Sequence, residues 1–296
     1  MGRRGFPIFI GLAWLAAAGT AQAAEDDVLE LAPTTPWNVH YADDYCRLAR
    51  IFGTDKQKII FSVEQDAPGD SFRMTLTGPM LDGPAHKGKA SITFGTMPEQ
   101  QIMFFPGTVG EDQPAWIFGD SVRLKPYSAE EIASAEDYGI RSEPVTEAEE
   151  AAVTSVLVGR PLRDPVRLKT GPMKAAFTAM RSCTDELLDH WGIDVARHRE
   201  LSRWVTPIGN PAKWLHSGDY PRAMLAKSQP GIVRFRLSVG ADGKPTACHI
   251  QRSTNSEGFD DAVCKGVMRR ARFEPALDKG GQPIASYYVN AVRFQF

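Results

Sequence analysis

Between Trp37 and Lys125 the chain alternates apolar and polar residues in short runs. Val39 and Tyr41 open the pattern, and Ile59, Phe61 and Val63 repeat it. Phe72, Met74 and Leu76 follow, then Ile92 with Phe94, Met103 with Phe105, Trp116 with Phe118, and Val122 with Leu124. Alternation of this kind places each set on one face of a strand. Turn formers separate the runs: Pro68-Gly69-Asp70, Gly78-Pro79, Asp82-Gly83-Pro84 and Pro106-Gly107. About seven short strands so punctuated predict a sandwich or a partly open barrel. Residues 25–36, acidic and then rich in Pro and Thr, read as a flexible start.

The period then lengthens. Ser128 is placed to cap a short helix that Gly139 would stop, and Thr146 with Glu149 forms a second capping box. Val156 to Val158 and Val166 to Leu168 read as two further strands. Over residues 172–191, Met173, Phe177, Met180, Thr184, Leu187, Leu188 and Trp191 keep helical spacing, with Gly192 as the stop. Residues 193–219 hold Pro207, Gly209, Asn210, Pro211 and Gly218 and read as a connector, with Trp204 and Trp214 expected to be buried where it packs.

From residue 220 the pattern is clearest. Val233, Phe235, Leu237 and Val239 alternate with Arg234, Arg236 and Ser238, and Asp242-Gly243 marks a hairpin. Thr246 to Gln251 returns, and Asn255 to Gly258 is a loop. Phe259, Val263, Val267 and Ala271 then fall on one helix face. Asp260 and Asp261 begin that helix and Arg269, Arg270 and Arg272 end it, the order that complements the helix dipole. Gly280-Gly281 turns the chain, and Tyr287 to Phe296 alternates again. The order is β-β-α-β, and the chain as a whole is α+β. The divisions expected are a leader over 1–23, a β-rich domain closed by a helix over 24–205, a connector over 206–219 and the small module over 220–296.

This last stretch resembles the TonB C-terminal domain family. The residues that carry the likeness are Tyr220-Pro221, the run Gly231 to Val239, Asp242-Gly243, Phe259-Asp260, the run Met268 to Pro275, Gly281-Gln282-Pro283 and the closing strand through Phe294. The resemblance spans about residues 214–296; the N-terminal part resembles no family identified from its residues. It implies a module that grips an extended segment of an outer-membrane transporter or receptor by adding it as a strand at a sheet edge. The final strand, residues 286–295, is the expected edge, with Tyr288, Asn290, Val292 and Phe294 as partner-binding positions. The alternatives are an edge capped by the connector or by a second copy of the chain. Some exported members of this family carry a cysteine pair where Cys248 and Cys264 stand. A transducer also has a membrane anchor and a long Pro-rich spacer; here a globular region takes the spacer's place, which fits an adapter better than energy coupling.

The N-terminus sharpens this picture. Arg3 and Arg4 precede an apolar run from Phe6 to Leu15, and Ala21-Gln22-Ala23 fits a cleavage site. Gly, Pro, Thr and Gln interrupt the longer apolar stretch from Gly5 to Ala24, which favours a cleaved leader over an anchor helix, and export to the periplasm is expected. In that oxidising compartment four cysteines form two disulfides. Cys248–Cys264 lies within one module, which leaves Cys46–Cys183. Neither C-x-x-C nor H-x-x-x-H occurs, so no metal and no cofactor is expected.

Charge is uneven: residues 25–150 hold 23 acidic and 10 basic side chains, and residues 151–296 hold 13 acidic and 22 basic. The halves can attract each other, or the basic half can face an acidic partner. Arg269, Arg270 and Arg272 read either as a solvated helix end or as such a contact. A nucleic-acid partner is not expected of an exported chain with no aromatics interleaved among its basic residues. Nor is an enzyme. Gly119-Asp120-Ser121 imitates an esterase motif but no Asp-x-x-His accompanies it, and G-x-S-x-G, H-E-x-x-H and the P-loop pattern are all missing. Asp43-Asp44 and Glu130-Glu131 read as exposed pairs, and His190 as a helix-end residue. A hydrolase in the β-rich half is the remaining rival to a binding or self-associating role.

Overall fold

Glu30 stands between Leu29 and Leu31, and this alternation begins a strand, β1 (Leu29–Leu31), where the sequence suggested a flexible start. The computed structural model describes residues 1–2, 28–83, 87–119, 122–133, 143–254 and 257–295. The expected leader therefore lies, apart from its first two residues, outside the described residues. Seven strands follow in turn: β2 (Asn38–Tyr41), β3 (Cys46–Phe52), β4 (Ile59–Gln65), β5 (Arg73–Thr77), β6 (Gly88–Phe94), β7 (Gln100–Val109) and β8 (Gln113–Phe118). Helix α1 (Ala129–Ala133) and helix α2 (Glu147–Ala152) come next, the latter with the Thr146–Glu149 capping box formed. Then come β9 (Val156–Val158), β10 (Val166–Leu168) and the long helix α3 (Lys174–His190).

The ten strands form one sheet in the order β1-β10-β9-β6-β7-β8-β5-β4-β3-β2. Its two ends are consecutive pieces of one segment. Leu31 pairs with Leu168 of β10, while Pro33 bridges Phe52 of β3. The sheet is thus rolled on itself and closed through residues 31–33. Of the two expected arrangements this is the barrel, not the sandwich. Phe52, Phe61, Phe72, Phe94 and Phe118 fill the interior and are fully buried. Helix α3 covers the core with Phe177, Met180 and Leu187, Phe177 lying 5.8 Å from the Phe72 ring. The Cys46–Cys183 disulfide ties that helix to β3.

Two expectations reverse here. Phe104, 3% exposed, faces the core, whereas Phe105 is 53% exposed. Three apolar residues in a row fit either phase of a strand, and the pairing of Phe104 with Phe118 and its stacking on Trp116 at 4.5 Å decide it. Trp204 is 54% exposed, its ring 5.0 Å from and nearly perpendicular to that of His198. Trp214 is buried as expected.

Gly192, at φ +73°, ends α3. Short elements follow: α4 (Val195–Arg199), β11 (Thr206–Pro207) and α5 (Arg222–Ala226). The rest is a hairpin of β12 (Gly231–Val239) and β13 (Pro245–Ser253), helix α6 (Glu257–Arg270), the short β14 (Phe273–Glu274), β15 (Ala276–Leu277) and β16 (Pro283–Ile284), and the closing strand β17 (Ser286–Phe294). Their main sheet has the order β13-β12-β17. Phe259, Val263 and Val267 of α6, with Ala271 just past its end, pack on Val233, Phe235, Leu237 and Val239 of β12 in a core separate from the barrel's. Cys248–Cys264 joins β13 to α6. The turn at Asp242-Gly243 must be glycine: Gly243 has φ +75°, and a Cβ there would lie 2.0 Å from the Phe273 carbonyl oxygen.

The two disulfides close loops of different length, and chain entropy ranks them. Replacing Cys46 and Cys183 by Ser opens a separation of 137 residues, expected to cost about 5 kcal/mol. Replacing Cys248 and Cys264 opens one of 16 residues, expected to cost about 3 kcal/mol. Urea unfolding of the two double variants measures both; equal losses would contradict the ranking.

Candidate protein-binding edge

Strand β17 pairs with β12 along its whole length, from Ser286 opposite Val239 to Phe294 opposite Gly231. Among the described residues no other strand pairs with it, so its second side is a free edge. Hydrogen bonding defines which amides face outward. Ile232 donates its N–H towards β13, to Thr254 Oγ1 at 2.9 Å. Val233 therefore directs its N–H to β17, and its pair Val292 is hydrogen-bonded inward. Ala291 and Arg293 face away. The Ala291 N–H is met by the Asn290 side chain, donating to Oδ1 at 2.7 Å, and Asn290 Nδ2 donates to the Tyr288 hydroxyl at 2.9 Å. A side chain of the strand itself thus occupies the free edge amide.

Tyr288, Asn290, Val292 and Phe294 share the helix side of the sheet, opposite Leu237, Phe235, Val233 and Gly231. Asn290, Val292 and Phe294 line a groove of about 500 Å³ between β17 and residues 211–220. Phe294 is itself largely core, its ring 4.6 Å from Phe259. Tyr288 packs on Trp214 and Phe273 at 5.5 and 5.0 Å, which props the groove's far wall. Trp214, Leu215, His216 and Tyr220 form that wall. Gly266 lets it sit close, since a Cβ there would lie 2.4 Å from Leu215 Cδ2.

The wall is fixed to α6 by one of the three expected arginines. Arg270 donates to both Asp219 oxygens at 2.8 and 2.9 Å and to the Trp214 carbonyl. The hydrogen bond from Arg270 outweighs the opposing effect of burial and holds the Asp219 carboxyl below its ordinary range. Arg269 is mostly exposed, 3.7 Å from Asp219, and Arg272 donates to the Arg269 and Ala271 carbonyls at the helix end. None of these pairs involves the acidic N-terminal half.

That half meets the module elsewhere, on the outer face of its sheet. Glu64 of β4 accepts from Arg47 at 2.6 Å, from Arg73 at 2.8 Å and from Arg252 of β13 at 2.8 Å. Asp66 pairs with Arg234 of β12. Burial alone would raise the Glu64 carboxyl, but Arg252 and Arg47 outweigh it and hold it below the ordinary range. Beside them, Tyr287 lies 5.4 Å from both Trp191 and His198, and His198 Nε2 is 3.0 Å from Ser286 Oγ. Burial lowers His198 to about 4, with the charge of Asp185 acting the other way. The start of β17 is thus held by α3 and α4, while residues 290–295 face the groove.

The groove wall and the Asp219–Arg270 clamp were not foreseen, although Tyr220-Pro221 and the arginine run pointed to both ends of it. Glu64 and Asp66 were also missed; the charge imbalance was their trace. Asp120 and Ser121 lie outside the described residues. Among the described residues no three His, Cys, Asp or Glu side chains are grouped to hold a metal ion, and no helix is long and apolar enough to cross a membrane.

Residues 217–296 match the model of a family described as Gram-negative bacterial TonB protein C-terminal. The match takes in the groove's Tyr220 side, α6 and all of β17, and leaves the barrel outside. No curated protein matches the chain.

Acid should loosen the contact between barrel and module in two steps. His198 stays neutral when folded down to about 4 but takes a proton near 6.5 when unfolded. The unfolded state then holds more protons, so stability falls as pH drops across that window, by up to about 3 kcal/mol. Glu64 adds a loss below its unfolded value of 4.5. Unfolding free energies measured against pH should show both limbs, and His198→Gln should flatten the first alone. An unchanged slope in that variant would contradict the assignment.

Proposed function

We propose that this chain is an exported adapter of the bacterial envelope whose C-terminal module takes up an extended segment of a partner protein as an added strand on β17. The observation that carries the reading is the free half-edge at residues 290–295, with outward amides at Ala291 and Arg293 and an apolar groove beside it. An added strand gains main-chain hydrogen bonds from the edge, and alternate side chains enter the groove. Such a segment would carry apolar or aromatic residues at every second position, to meet Trp214, Leu215 and Tyr220. The family match to residues 217–296 supports a protein-interaction role in the envelope, and the resemblance suggests an outer-membrane transporter or receptor as the partner. A rolled, disulfide-tied sheet precedes the module in place of a Pro-rich spacer, which favours an adapter over a transducer of energy. In this reading the chain binds and does not catalyse.

The same edge admits one competitor, a second copy of the chain pairing β17 with β17. Crosslinking in intact cells separates the two. A photoreactive residue in place of Asn290, Val292 or Arg293 should yield adducts with a different envelope protein. Adducts with the chain alone would establish self-pairing instead, and none at all would contradict strand addition. Ala291→Pro removes an outward N–H while sparing the β12 ladder. It should leave thermal stability within about 1 kcal/mol of the parent and abolish the adducts.

A further inference from the structure

The contact between barrel and module is not closed throughout. Away from the Glu64 cluster it leaves a pocket of about 410 Å³. One wall is the β2–β3 turn with Asp43 and Asp44, together with His190 and Trp191 at the end of α3. The other is the outer face of the module's sheet, with Arg236 and Ser238 of β12 and His249 of β13. The walls carry opposite charge.

Arg236 is the anomaly. It is 3% exposed, yet among the described residues no carboxylate lies within 4.0 Å of it, whereas its face-mates Arg234 and Arg252 pair with Asp66 and Glu64. Its guanidinium lies 4.0 Å from the centre of the Trp191 ring, and Nη1 is 3.3 Å from Ser238 Oγ. Arg236 Nε and Trp191 Nε1 are buried without a partner. A buried guanidinium with donors unmet is costly, and it is relieved most fully by a bidentate carboxylate.

Local charge decides the class of ligand. The pocket holds one guanidinium against two carboxylates. A simple anion would satisfy Arg236 but meet the repulsion of Asp43 and Asp44. A simple cation would suit the two aspartates and leave Arg236 unmet. A molecule with both charges satisfies both walls. We propose that this pocket binds a small zwitterion, its carboxylate on Arg236 and Ser238 and its ammonium on Asp43 and Asp44, as a free amino acid would provide. The site lies on the sheet face opposite the β17 groove and does not depend on the strand-addition reading. A ligand spanning it would also hold the module to the barrel.

Calorimetric titration of the full chain with glycine, β-alanine, 4-aminobutanoate and 6-aminohexanoate tests this, because the series varies the distance between the charges. At least one member should bind saturably and raise the melting temperature, while acetate and methylammonium at the same concentrations do neither. Arg236→Gln and the double variant D43N/D44N should each weaken binding at least tenfold. The double variant changes only turn residues, so it remains informative if Arg236→Gln fails to fold. Absence of binding by every amino acid, equal binding of acetate, or unchanged affinity in D43N/D44N would each overturn the proposal.

Discussion

Glu64 is where the two halves of the chain are held together. Its carboxylate is buried and takes hydrogen bonds from three arginines, two of its own sheet and one from β13 of the module. A buried carboxylate is tolerable only with such partners, and removal of any one leaves charge uncompensated. With Asp66 and Arg234 beside it, the contact commits the outer face of the module's sheet to the barrel. The inner face is already committed to α6. Apart from the pocket at Arg236, a three-stranded sheet so covered has its edges left to offer.

The two edges are not equivalent. Strand β13 carries Gln251 and Arg252 into the contact with the barrel, through the Asp66 carbonyl and Glu64. Strand β17 meets the barrel side at its start, through the Ser286, Tyr287 and His198 cluster. Beyond Asn290 it runs beside a groove whose far wall is kept standing by Arg270 and Asp219. An exposed edge is ordinarily a hazard that proteins blunt. Here the blunting is light, a single asparagine side chain over one amide, which an incoming carbonyl can displace.

Much of this was legible in the residues. Strict alternation in β12 and the four-residue spacing of Phe259, Val263, Val267 and Ala271 gave the module's sheet and helix, because one buried face dictates each pattern. The phase of β7 was not legible, since Met103, Phe104 and Phe105 are all apolar and only the cross-strand neighbour chooses among them. Closure of the barrel was not legible either: it depends on residues 29–33 serving two strands far apart in sequence. The edge positions were identifiable as alternate residues of the last strand. The groove beside them was not, because its far wall is built by Trp214 and Leu215, in a segment that reads only as a connector.

Amide hydrogen exchange of the free protein, resolved residue by residue along β17, tests the central claim most directly. If the edge beyond Asn290 is open, the Arg293 amide exchanges fast, and the Ala291 amide, covered by its neighbour's side chain alone, exchanges faster than the Asn290 and Val292 amides, which are bonded to β12. Slow exchange at all four positions would mean that the edge is already covered, and would contradict the account.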